Sequence, residues 1–278
     1  MTARLATHPD VATRTADVLA RLRGAGVDVE FAGAGVEGSA PLAALRAGSI
    51  DLALVGIQAL RGSGADDLTT LAVLPREEVR DVLITCTDRR AVLTDLPSGA
   101  RVGVAGARRV AFLRAHRPDV EAIPLSEGID GLDRASGEVD AAIISALDAR
   151  RGGLVAATVE ALDIRAWLPE PGQGAVALVA RHPIAEATAL DHLPTRTALR
   201  AELALLDALE ADADAPLGCV AQPSGRWIRL WAGAASVDGR RLVRSDRTGP
   251  LDEPEALGTS VAQEMMARGY GLVEALSG

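Results

Sequence analysis

Two adjacent arginines, Arg108 and Arg109, follow the glycine-bearing segment Gly103-Val104-Ala105-Gly106-Ala107. The apolar stretch Arg101–Val104 predicts a strand and Arg108–Arg114 a helix, so the pair stands at a strand-to-helix turn. A helix N-terminus offers unpaired N–H groups and the positive end of the helix dipole. Two guanidinium forks beside it add bidentate donors suited to a carboxylate. The backbone of Gly106 and Ala107 and the side chains of Arg108 and Arg109 are therefore expected to bind an anion.

Other chemistries are thinly supplied. All 29 basic residues are arginine, with no lysine in the chain, which excludes Schiff-base catalysis and a P-loop lysine. The four histidines are scattered and neither cysteine lies in a CxxC pair, so no metal site is expected. A net charge of −9 and 2% aromatic residues argue against a nucleic-acid partner. No apolar run reaches 18 residues, and no basic stretch followed by an apolar core opens the chain. The expectation is a cytoplasmic monomer with no membrane partner and a small carboxylate-bearing molecule as ligand.

The elements that must position these groups are announced by a repeat. Gly48-Ser49-Ile50-Asp51-Leu52-Ala53-Leu54-Val55 returns as Gly137-Glu138-Val139-Asp140-Ala141-Ala142-Ile143-Ile144. Each copy follows a helix-like stretch, Pro41–Ala47 or Gly131–Ser136, and turns into an apolar strand of the kind covered on both faces. Upstream of the first copy, strand Ala3–Ala6, helix Thr13–Ala25 and strand Val27–Phe31 are predicted. Upstream of the second, Val120–Pro124 is the strand after the arginine helix. The pattern predicts two similar α/β lobes around a cleft. A Pro/Gly-rich crossing, Trp167 to Ala175, then leads into strand Val176–Ala180. Helix Thr197–Ala211, strands Arg226–Ala232 and Arg240–Arg244, and helix Glu253–Arg268 complete a small α+β tail.

In order and spacing the chain resembles the hydroxymethylbilane synthase (porphobilinogen deaminase) family nearly end to end. Pro171-Gly172-Gln173-Gly174-Ala175 is the strongest short motif. Arg80-Asp81, the segment Gly103 to Arg109, Arg117-Pro118-Asp119-Val120 and helix Leu199–Glu210 match further family segments. The resemblance implies two lobes of the type II periplasmic-binding-protein kind plus a C-terminal domain. It divides the chain into residues 1–76 and 175–195 (first lobe), 77–174 (second lobe) and 196–278 (α+β domain). It also implies transferase chemistry of tetrapyrrole biosynthesis on a thioether-linked dipyrromethane and a pyrrole-like ligand, and adds Gln173 and His8 to the expected ligand set.

The same resemblance exposes departures. Laid on the family's loop, Pro216-Leu217-Gly218 puts the cofactor cysteine on Ala213, so no dipyrromethane is expected. The family's lysine and catalytic aspartate fall on Gln58 and Ala59, and Ala59 cannot move a proton. An arginine becomes His8, and two others become Ser126 and Leu132. Asp66 and Asp67 read as loop residues, Asp51 and Asp140 as turn formers, and Cys86 and Cys219 as core. No catalytic residue is assigned. The expected protein is a divergent member that binds a small carboxylate-bearing ligand between its lobes, with or without a different reaction. The alternatives are a working synthase with displaced groups, and a non-catalytic scaffold or regulatory protein.

Overall fold

The computed structural model describes residues 2–34, 41–62, 67–86, 91–126, 132, 137–212 and 214–274. The described strands are β1 (Ala3–Thr7), β2 (Val29–Ala34), β3 (Leu52–Gly56), β4 (Thr69–Val73), β5 (Asp81–Thr85), β6 (Arg101–Val104) and β7 (Glu121–Pro124). They continue as β8 (Ala141–Ser145), β9 (Thr158–Ala161), β10 (Val176–Ala180), β11 (Leu217–Ser224), β12 (Trp227–Ala235) and β13 (Leu242–Pro250). The chain divides into two compact units, residues 1–77 with 172–197, and residues 78–171 with 198–278.

The first unit is one sheet of order β2-β1-β3-β10-β4, with β10 antiparallel to both neighbours. Leu52, Leu54, Leu178 and Ala72 are fully buried, as expected for strands covered on both faces. The second unit repeats the plan as β7-β6-β8-β5-β9, with β5 in the antiparallel place. The duplicated aspartates do the same work in each lobe. Asp51 accepts the N–H of Arg4 at 2.9 Å and Asp140 that of Arg101 at 2.8 Å, each tying the start of a neighbouring strand. These are the two α/β lobes expected from the sequence.

The second unit also holds the small α+β domain, an antiparallel sheet β11-β12-β13. Helices Leu193–Leu209 and Pro254–Ala267 contribute Leu205, Val261 and Met265 to its core with Ile228, Leu230 and Cys219. Gly258 lets these helices touch, since a Cβ there would lie 2.4 Å from the Ala201 carbonyl oxygen.

Several boundaries differ from the sequence reading. The first of these helices starts at Leu193 rather than Thr197, because Pro194 sits in the first turn, where its missing N–H leaves no bond unmade. Strand β13 runs past the expected end at Arg244 and through Thr248-Gly249-Pro250, because its pairing with β12 extends to Trp227 opposite Pro250. As β13 is an edge, proline is tolerated there. Cys86 is exposed just past the end of β5 rather than in the core. The expected helix Gly131–Ser136 lies outside the described residues except Leu132.

Candidate anion-binding site

Strand β6 and helix Ala107–His116 form the predicted strand-to-helix turn. Gly106 caps the helix with φ at 81°, a left-handed backbone that a side chain would strain. Gly106 and Ala107 are exposed, so the open N–H groups of the first turn face solvent. The guanidiniums behind them face inward. Arg108 donates from Nη2 to Asp81 Oδ2 at 2.8 Å and from Nη1 to the Leu168 carbonyl at 2.8 Å. Arg109 grips the same carboxylate with Nε and Nη2, both at 3.0 Å. The indole N–H of Trp167 donates to Asp81 Oδ2 at 2.9 Å.

Asp81 is completely buried, which by itself raises a carboxyl group's pKa; the charges of Arg108 and then Arg109 outweigh this and hold it well below the usual carboxylate range. Burial pulls Arg108 down from the ordinary arginine value; for Arg109 burial is overcome by Asp81, and its value rises. Both stay charged at any ordinary pH. Glu170 acts electrostatically on both guanidiniums, and Asp148 on Arg109. The turn therefore presents backbone donors to solvent, backed by a guanidinium pair held rigidly by Asp81.

The other expected ligand residues belong to the first unit. His8 follows β1, half-buried, and donates its N–H to Leu54 O at 2.9 Å. Gln173 is buried just before β10, its carbonyl accepting from Arg76 Nε at 2.9 Å. Ala59 is exposed on the short helix Ile57–Gly62 that follows β3. Asp67 is gripped by Arg46, with Nη2 at 2.8 Å, and Asp66 lies outside the described residues. Ser126 is exposed and Leu132 buried. The groups that sequence reasoning missed are Asp81 as the buried hub and Trp167 as its donor. An aspartate opening the apolar run Val82-Leu83-Ile84 was the available signal.

The repeat supplies another missed residue. Helix Ala146–Arg151 follows β8 as Ile57–Gly62 follows β3, which sets Asp148 in the second lobe at the place of Ala59 in the first. The hydroxyl of Ser145 caps this helix, accepting from the Asp148 N–H at 3.0 Å and donating to Asp148 Oδ2 at 2.7 Å. Among the described residues no group of three or more His, Cys, Asp and Glu could hold a metal, and no described helix is long and apolar enough to cross a membrane.

Residues 36–189 match the family model described as porphobilinogen deaminase, dipyrromethane cofactor binding domain, and residues 197–267 match the porphobilinogen deaminase C-terminal domain. The chain belongs to the porphobilinogen deaminase family. It is 35% identical over 255 residues to the porphobilinogen deaminase of Thermobifida fusca, covering 86% of this chain and 79% of that one. It is 36% identical over 228 residues to that of Desulforudis audaxviator, covering 80% and 73%. Among solved structures, an ABC transporter periplasmic substrate-binding protein from Coxiella burnetii is 16% identical, with a TM-score of 0.48 over 69% of this chain and 93% of that one.

The family match overturns the expectation that no dipyrromethane belongs here, because residues 36–189 match a domain described by that cofactor. That match covers the framework of the domain and ends before Ala213, which lies outside the described residues and bears on the thioether link alone. The exposed N–H groups at Gly106–Ala107 and the charged pair behind them fit the carboxylates of such a group. Cys219 does not fit as its covalent anchor, since its sulfur is sealed in the C-terminal core.

Proposed function

We propose that this chain is a porphobilinogen deaminase-family protein that holds a carboxylate-bearing pyrrole-type ligand at the Gly106–Arg109 turn and no longer extends a pyrrole chain by the family's route. The ligand class includes the dipyrromethane to which the family match points. Ala59 carries this reading: a solvent-facing methyl stands where the resemblance puts the proton-handling aspartate. The ligand site survives in this reading because its donors are backbone groups and a fixed arginine pair, independent of position 59.

A second reading, an active synthase with displaced groups, is favoured by one observation. Asp148 occupies the equivalent of position 59 in the other lobe and acts electrostatically on Arg109. The relatives' shared name, porphobilinogen deaminase, points the same way.

Incubation with porphobilinogen, followed by intact mass and calorimetry, separates the two. The first reading expects porphobilinogen to bind with no ladder of added pyrrole units and no hydroxymethylbilane released. A ladder, or released product, that disappears in Asp148→Asn would replace it with the second. Absence of both binding and ladder would sink the ligand site itself.

A further inference from the structure

We infer that the second unit carries a separate oxyanion site, an arginine-lined pocket beside the C-terminal sheet that takes the head of one small phosphate or carboxylate. The pocket encloses about 100 Å³ and is lined by Arg165, Arg244, Arg268, Trp231, Leu168 and Asp246, among others. Drug-sized ligands fill roughly 300 Å³ or more, so this space admits one head group and little else.

Its charge is the argument. Arg165 is paired with Asp163, Asp246 is held by Arg229, and Arg268 and Arg247 share Glu264. Arg244 meets no carboxylate among the described residues. Its Nη2 donates to the Ala166 carbonyl at 2.6 Å and to His116 Nε2 at 2.9 Å, and its Nη1 reaches the Arg165 carbonyl at 3.5 Å. Its Nε is buried and finds no acceptor among the described residues. His116 adds no negative charge: its Nδ1 faces the Phe112 carbonyl at 2.8 Å and so carries the proton, leaving Nε2 to accept from Arg244. Five guanidiniums thus stand against three carboxylates, on a chain whose net charge is −9. A pocket lined by three guanidiniums and one carboxylate, with one of those guanidiniums lacking a carboxylate partner among the described residues, suits an anion.

The site does not rest on the Gly106–Arg109 turn. It shares no arginine with that turn, and Leu168, which lines the pocket, meets Arg108 only through its backbone carbonyl. The ligand's head is identified by chemistry alone, and two probes separate its sources.

Titration calorimetry of the full chain with inorganic phosphate, and separately with acetate, tests the site at ionic strength held constant with chloride. Saturable binding of one probe is expected, weakened about tenfold or more in Arg244→Gln and unchanged in Arg4→Gln, a surface arginine of the first unit. Tighter phosphate assigns a phosphate head, and tighter acetate a carboxylate. If Arg244→Gln fails to fold, the exposed Arg268→Gln is expected to show the same direction of loss. Equal binding in wild type and both variants, or no binding of either probe, overturns the site. Because Arg244 lies outside the Gly106–Arg109 turn, binding lost in Arg244→Gln belongs to this pocket, and binding that survives the substitution belongs to the turn, so the two readings fail separately.

Discussion

Asp81 decides what the two arginines can do. A lone buried carboxylate would protonate, and two lone buried guanidiniums would be held at high cost. Together with the indole N–H of Trp167 they satisfy one another, and both arginines become fixed positive charge behind an exposed helix start. Removing the charge on Asp81 while keeping its shape should be expensive, because a neutral amide in its place would leave two buried guanidiniums without the carboxylate that hydrogen-bonds both. Asp81→Asn is expected to lose roughly 3–5 kcal/mol of stability, read from the urea midpoint at an unchanged slope. Asp148→Asn, at a partly exposed helix start, should lose about 1 kcal/mol or less. A midpoint for Asp81→Asn as close to wild type as that of Asp148→Asn would show that the cluster is not a stabilising hub.

At the scale of elements, helix Ala107–His116 connects the Gly106–Arg109 turn at its start to the C-terminal sheet at its end. Its last residue, His116, stacks near Phe112 and Trp167 and accepts from Arg244 of β13. Burial, with the charge of Arg244 against it, holds His116 below the ordinary 6.5. The folded pKa is thus lower than the unfolded one, so the unfolded chain takes up the proton first as pH falls. The contribution of neutral His116 is complete above about pH 6.5 and is lost below it. His116→Gln keeps an acceptor for Arg244 without titrating, and its melting temperature should fall less than wild type between about pH 7.5 and 5.5. Parallel curves would remove His116 from the account. The elements themselves were largely legible, because apolar runs such as Val176–Ala180 and the duplicated Asp51 and Asp140 turns are local signals. The inward aim of Arg108 and Arg109 was not, because their partner lies 27 and 28 residues away and Trp167 a further 86 from that partner. Cys86 misled for a related reason: the apolar run ends with the strand, one residue before it.

For the whole molecule, the all-arginine composition fixes how it responds to acid. Every guanidinium stays charged down to the lowest pH, so only the carboxylate half of each pair titrates. Asp67 and Asp191 in the first unit, and Glu78, Asp81, Asp119, Asp163, Asp238 and Glu255 in the second, are held below their ordinary values by hydrogen bonds or charge from partner groups, mostly arginines. A depressed folded pKa gives stability that is complete above the unfolded value and is lost as pH falls through the folded one. The exposed pairs add little and are screened by salt, so Asp81 dominates, and it belongs to the second unit. Acid below about pH 4 should therefore loosen the second unit before the first. The tryptophans report this selectively, because Trp167, Trp227 and Trp231 all lie in that unit. On acidification their emission is expected to shift red while much of the far-ultraviolet circular dichroism, to which both units contribute, remains. Added salt should move this transition little, since its main driver is buried. Coincident optical transitions, or dichroism lost first, would mean that the buried cluster does not set the acid limit of the molecule.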